Sequence, residues 1–226
     1  LGRMESIKVP EEAEIIDAHE KTIIPGLIDA HVHITDTDSD IMRVISQPFS
    51  MKFFETVTNL KDTLKAGFTT IRDAAGADLG VKLAVERGLV PGPRLVISVA
   101  GLSQTGGHMD TYFPPGFSIP SSYPGMPDCV CDGPVEVRKA VRSVIRAGAD
   151  VIKVNTSGGV LSPTDDIDGS QFAKEELEVI VEEAKAANRP VMTHAMSKKG
   201  ILAALKAGIE SIEHGTFTDD ECIEWM

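Results

Sequence analysis

Cysteine, basic charge and long apolar runs are all scarce in this sequence, and each shortage excludes something. Only three cysteines occur among 226 residues: Cys129, Cys131 and Cys222. They make no disulfide framework, and the Cys-x-Cys pair lacks a second pair to complete a metal site. Free thiols in a reducing compartment are the expectation. Lys and Arg number 22 against 34 Asp and Glu, for a net charge of −12. A chain this acidic is a poor phosphate binder, so no nucleic-acid partner is expected. No apolar stretch approaches the ~18 residues of a membrane span, so no membrane partner is expected either. The first residues carry no basic region followed by an apolar run, so no signal peptide is visible.

What is present is ordinary globular material. The hydrophobic fraction is 42% and the charged fraction 25%, values typical of folded domains. At ~150 residues per domain, the length suits one or two domains. Both ends read as interior to a longer chain. Position 1 is not Met, and residues 218–226 read as the opening of a helix, with Asp219, Asp220 and Glu221 favoured at its N-terminus. A longer chain leaves room for an upstream signal peptide. On these residues alone a cytoplasmic location and a homo-oligomer are expected.

Strand and helix patterns alternate. Six short apolar runs, 27–31, 69–73, 95–99, 151–155, 190–194 and 210–214, are each followed by a helical pattern or by a loop leading into one. Val137, Val141, Val144 and Ile145 form one apolar stripe, and Ala173, Leu177, Ile180, Val181 and Ala184 form another. Pro134 suits the first turn of a helix, and Ser197 suits an N-cap ahead of Ile201, Leu202 and Leu205. Gly67, Gly148 and Gly208 each stand where a helix gives way to the next strand, a place for left-handed backbone. This rhythm predicts a parallel α/β sheet, as a closed barrel or an open doubly wound sheet. No G-x-G-x-x-G follows the first strand, which weakens the nucleotide-binding form of the open sheet. Residues 101–133 break the rhythm. They hold six glycines, and Pro114, Pro115, Pro120, Pro124 and Pro127. A segment so long, following a strand, predicts an active-site loop, the alternative being a disordered insertion.

The polar residues at strand ends carry the chemistry. Asp29, His31 and His33 alternate onto one strand face, where two imidazoles can reach a single cation. His194 and His214 close the fifth and sixth strands. Lys153 lies between Ile152 and Val154, a costly place for a charge unless it is paired or neutralised. The bland alternatives are a buried ion pair for Lys153 and satisfied core positions for the histidines. Four of six histidines nevertheless fall at the C-terminal ends of strands, which converge on one mouth in a barrel. With Lys153 they make a metal cluster the simplest reading. His108 is a candidate substrate contact, or a group polarising the scissile carbonyl, against an ordinary loop histidine. Gly158 and Gly159 are candidate N–H donors to a substrate carboxylate, against a simple strand-to-loop turn. Arg72 and Asp73 are expected to make structural contacts, and His19 to be exposed.

The run Ile24-Pro25-Gly26-Leu27-Ile28-Asp29-Ala30-His31-Val32-His33 resembles the first-strand signature of the amidohydrolase superfamily. Gly148 to Val154 with Ser157-Gly158-Gly159-Val160 resembles its fourth strand. Thr193-His194-Ala195 and Ile212-Glu213-His214-Gly215 resemble the fifth and sixth. Thr105-Gly106-Gly107-His108 is similar to a third-strand loop in the branch of Xaa-Pro dipeptidase-like and imidazolonepropionase-related enzymes. Residues 7–24 are similar to the last strands of the small β-sandwich that flanks these barrels.

The resemblance implies a (β/α)8 TIM barrel. Residues 24–226 would supply about six of its units, and 1–23 the remnant of an N-terminal β-sandwich. It implies two divalent metal ions, with zinc suited to the imidazole and carboxylate ligands. His31 and His33 would hold one ion, and His194 and His214 the other. Lys153 would bridge them as a carbamate formed with carbon dioxide. It implies hydrolysis of a carbon–nitrogen amide bond by metal-activated hydroxide, with dipeptides or N-acyl amino acids such as Xaa-Pro as substrates. Family members carry a proton-shuttling Asp after the eighth strand, and no acid of this chain can be assigned that role. A mononuclear cyclic amidohydrolase like imidazolonepropionase is the rival enzyme reading, opposed by Lys153, which a single-metal site does not need. A catalytically inactive scaffold is the rival outside enzymes, opposed by the retained ligand set.

Overall fold

Strands buried on both faces need helices to cover them, and the chain supplies the two in alternation. The computed structural model describes residues 3, 6–36, 40–119, 122–160, 162 and 165–226. Residues 1, 2, 4 and 5 of the N-terminal stretch, and Pro120, lie outside them. The strands are β1 (Leu27–Val32), β2 (Phe68–Asp73), β3 (Arg94–Ile97), β4 (Gly101–Leu102), β5 (Tyr112–Phe113), β6 (Phe117–Ser118), β7 (Ile152–Asn155), β8 (Val191–Ala195) and β9 (Ser211–His214). The helices are α1 (Ile41–Ser46), α2 (Met51–Lys65), α3 (Leu79–Glu86), α4 (Gly133–Arg146), α5 (Lys174–Ala186), α6 (Lys198–Ala207) and α7 (Asp220–Trp225).

β1, β2 and β3 pair in parallel in that order, and so do β4, β7, β8 and β9. The third expected strand is therefore broken in two. Val99 has φ +67°, and the chain bends there between β3 and β4. The two sheets stay joined, because the N–H groups of Asp150 and Val151 donate to the Ile97 carbonyl. The Asp150 carboxylate accepts from the Ile97 N–H and is ion-paired with Lys82. Six parallel staves result, in sequence order. They curl far enough that His31 on β1 touches Glu213 on β9 at 2.7 Å. This is the arrangement of six successive units of a (β/α)8 barrel.

The helices cover the staves with the stripes expected of them. Val137, Val141 and Val144 on α4, with Leu177, Ile180 and Ala184 on α5, are buried in the main core. Ser197 caps α6 by accepting from the Gly200 N–H. Asp219 caps α7. Gly67, Gly148 and Gly208 have φ of +96°, +101° and +84°, the left-handed helix endings expected at those positions.

The long segment after β4 is built rather than disordered. It holds the β5–β6 hairpin and a bridge between Ser103 and Val130, and it buries Met126, Cys129 and Cys131. All three cysteines are free thiols. Burial pushes the Cys129 and Cys131 thiols up to about 12, which suppresses their thiolates. Residues 6–23 contain no strand among the described residues, and Ile15 and Ile16 there are exposed. Among the described residues no helix is long and apolar enough to cross a membrane.

Truncating Ile180, fully buried between α5 and the staves, removes core contacts that neighbours cannot replace. Ile180→Ala should cost about 2–5 kcal/mol in urea unfolding. A loss below about 0.5 kcal/mol would contradict tight packing around this side chain.

Candidate functional site

Five of the six histidines form one continuous row. Ring centroids are 5.4 Å apart for His33 and His31, 4.8 Å for His31 and His214, 4.6 Å for His214 and His194, and 4.0 Å for His194 and His108. His31 is the penultimate residue of β1, His194 lies on β8 and His214 ends β9, so parallel pairing delivers all three to the same rim. His33 follows β1 directly. His108 arrives on the segment after β4 and stacks on His194 with an interplanar angle of 21°. His19, the sixth, is exposed and apart.

Lys153 is 2% exposed in β7. Among the described residues it makes no hydrogen bond or ion pair, so none of them accounts for it as half of a buried ion pair. Burial pushes its ammonium down to about 8, against the opposing pull of Glu213 and with help from Arg72. Its charge also disfavours protonation of His108, His194 and His214, so it lies close to them. Gly101 pairs with Lys153 across β4 and β7. A Cβ on Gly101 would sit 2.5 Å from Met109 Sδ and 3.2 Å from Lys153 Cγ, so the glycine lets Met109 and the lysine stem pack closely there.

The ring nitrogens are sorted by their partners. His33 Nδ1 lies 3.0 Å from the Ala75 carbonyl, which can only accept. Nδ1 therefore carries the proton and Nε2 keeps its lone pair. His31 Nδ1 lies 2.7 Å from Glu213 Oε2. Burial alone would raise the Glu213 carboxyl, but hydrogen bonds from His31 and Ser211 and the charge of Arg72 hold it at about 2. It is thus an acceptor, and His31 too presents Nε2. His194 donates from Nε2 to the Gly158 carbonyl at 3.0 Å, leaving Nδ1. Burial, reinforced by His108, holds His194 down at about 3, so the ring stays neutral. Neutral imidazoles oriented by a carbonyl or carboxylate are the form in which histidine ligates metal.

These observations fit a divalent cation in donor chemistry. Among the described residues no group of three His, Cys, Asp or Glu is arranged to hold an ion unaided. Lys153 lies near these rings, and a lysine could add to a ligand set only as an oxygen donor or a neutral amine.

The glycines do something other than expected. The Gly159 N–H donates to Asp165 Oδ2 at 3.1 Å, so it is committed and not open to a substrate carboxylate. A Cβ there would lie 2.1 Å from His108 Cε1, so Gly159 makes space for that ring. Gly158 is buried, its carbonyl receives His194, and a Cβ would lie 2.3 Å from the Asp166 carbonyl. The Gly159 N–H is thus committed and its bare Cα makes room for a ring, while Gly158 is bonded through its carbonyl.

Three side chains of the site were not singled out by sequence. Asp165, nearly fully buried, receives Gly159 and Gln171 and lies 3.3 Å from His108 Nδ1. Ser162 contacts both His108 Nδ1 and Asp165. Glu213 was hidden by alternation, which places neighbours 213 and 214 on opposite faces. The backbone of His214 has φ +71°, and that left-handed turn lets Glu213 and His214 both face the row. The available signal was a carboxylate inside an apolar strand. Arg72 and Asp73 do make structural contacts. Asp73 accepts from the Ile34, Ala75 and Ala77 N–H groups, and burial raises its carboxyl to about 6.

The sorted nitrogens can be read by long-range nitrogen–proton correlation NMR without added metal. His31 and His33 should show the Nδ1–H tautomer and His194 the Nε2–H tautomer. The opposite tautomer at His33, whose partner is a carbonyl, would overturn this arrangement of the row.

Comparison with known proteins agrees with this arrangement. The sequence profile of the amidohydrolase family matches residues 22–223. The ochratoxinase of Aspergillus niger is 41% identical over 217 residues, covering 90% of this chain and 45% of that protein. A prolidase solved with N-methylphosphonate-L-proline is 40% identical with a TM-score of 0.90, over 97% of this chain and 54% of the other. A Xaa-Pro dipeptidase with methionine in its active site is 34% identical with a TM-score of 0.80, over 89% of this chain and 50% of the other. The chain thus spans about half the length of the relatives it matches. With the profile covering six barrel staves and the whole histidine row, this chain belongs to the amidohydrolase family.

Proposed function

We propose that the whole protein is a metal-dependent hydrolase of carbon–nitrogen bonds, acting on dipeptides or N-acyl amino acids such as Xaa-Pro. The observation that carries this reading is a buried lysine with no partner among the described residues, beside a row of five imidazoles of which three have their ring nitrogens sorted by neighbours. The prolidase and Xaa-Pro dipeptidase relatives supply the substrate class, and their ligands, a phosphonate bearing proline and a free methionine, suit it. In this reading residues 1–23 belong to a flanking β-sandwich and 24–226 to the barrel.

His31 with His33 would hold one divalent ion, and His194 with His214 a second, with zinc the simplest choice. Such ions supply activation of water and polarisation of the amide carbonyl. The chain's own residues prepare the site. Burial of Lys153, which lowers its ammonium to about 8, raises the share of neutral amine near neutrality. Carbon dioxide adds to that amine, and the nitrogen's proton leaves to solvent as the carbamate forms. The carbamate puts anionic oxygen where the free ammonium had none to offer. Glu213 and the Ala75 carbonyl hold His31 and His33 in the ligating tautomer. The Gly158 carbonyl does the same for His194. His108, stacked on His194 and backed by Asp165, stands at the edge of the row as the substrate contact.

Metal analysis and peptide assays on the whole protein test this. About two divalent ions per chain are expected, falling in His31→Ala, with Xaa-Pro hydrolysis reduced to background in His31→Ala and Lys153→Ala. Metal content unchanged in His31→Ala would sink the proposal. Full activity in Lys153→Ala would favour a single-metal cyclic amidohydrolase instead.

A further inference from the structure

The carboxylate of Glu213 is shared between two very different partners. Oε2 receives His31 at 2.7 Å, and Oε1 receives Arg72 Nη2 at 2.6 Å and the Ser211 hydroxyl. Arg72 also donates from Nε to the Ala30 carbonyl at 2.6 Å and from Nη2 to Ser211 Oγ at 3.2 Å. One guanidinium on β2 therefore ties the backbone of β1 to side chains of β9. Those two strands are the outer staves of the six and do not pair with each other. Glu213 is only 6% exposed, so both partners meet a carboxylate largely withdrawn from water.

The partners differ in what they allow. Arginine only donates, so the oxygen facing it must accept. An ionised carboxylate accepts on both oxygens, which leaves His31 no choice but to donate from Nδ1. An amide has one acceptor and one donor end. In competition between a fixed guanidinium and a neutral imidazole, the oxygen goes to the guanidinium, since a charge-assisted bond is the stronger. The NH2 would then face His31 and force Nδ1 to accept, which moves the ring proton to Nε2. Ser211 does not impose this, because a hydroxyl can turn to accept.

We propose that Arg72 and Glu213 form a positioning pair that sets the tautomer of His31, so that the barrel's interior ion pair decides which nitrogen of that ring is open to a ligand. The pair acts in the metal-free protein. It makes ligand binding at His31 depend on a residue that touches no ligand, and only this consequence rests on the proposed metal-dependent function.

The test uses long-range nitrogen–proton NMR on the whole protein without metal, with His33 as internal control. Glu213→Gln should shift His31 from the Nδ1–H to the Nε2–H tautomer while His33 stays unchanged. Adding Arg72→Met to Glu213→Gln frees the amide oxygen for His31 and should restore Nδ1–H. Glu213→Asp and Ser211→Ala should keep Nδ1–H. Zinc affinity, measured by competition with a chelator, should drop about 10–100-fold in Glu213→Gln and recover in the double variant. Retention of Nδ1–H in Glu213→Gln, or failure of Arg72→Met to restore it, would overturn the proposal. If Glu213→Gln does not fold, an Nε2–H tautomer in the parent protein or in Glu213→Asp overturns it equally. A tautomer that inverts as expected in a protein that binds no zinc would leave the positioning pair standing and sink the metal-dependent function.

Discussion

Lys153 is a primary amine placed in a strand where water does not reach and no described carboxylate touches it. Lowering its ammonium from 10.5 to about 8 corresponds to about 3 kcal/mol against the charged form, at 1.36 kcal/mol per unit. Much of the site's construction follows from that desolvation. Gly101 stands opposite it, where a Cβ would press on Met109 and on the lysine stem. Glu213 looks towards it from β9 and Arg72 from β2, so the nearest fixed charges are already paired with each other. Burial disfavours protonation of His108, His194 and His214 for the same reason it disfavours the charged amine.

The barrel turns this local expense into a site. Parallel staves point their C-terminal ends one way, so residues as distant in sequence as His33 and His194 arrive on one rim. β1 and β9 do not pair through their backbones, but Arg72, Glu213 and His31 link β2, β9 and β1 through side chains. Carbonyls at Ala75 and Gly158, which no side-chain change can remove, orient two of the rings. The ligating face is thereby set by backbone as much as by side chains.

Most of this is legible in the amino-acid sequence. The helix–glycine–strand rhythm, the Ser197 cap, the acidic start of the last helix, and the placing of His31, His33, Lys153, His194 and His214 on or just after strands all follow from periodicity and spacing. What escapes depends on departures from regular geometry. The left-handed bend at Val99 splits one stave in two. The left-handed His214 turns Glu213 inward against the alternation rule. Gly159 looks like an anion-binding turn in sequence, yet its N–H is taken by Asp165 and its missing side chain makes room for His108. Contacts set by residues ~50 positions apart, or by one positive φ, leave no periodic trace.

The central claim is that Lys153 and the imidazole row form one cation-binding chamber. Anomalous diffraction from crystals of the whole protein grown with zinc and bicarbonate tests it most directly. Two anomalous peaks are predicted, one beside His31 and His33 and one beside His194 and His214, with added density on Lys153 Nζ between them. A bare, unmodified Lys153 with no anomalous peak along the row would contradict the account.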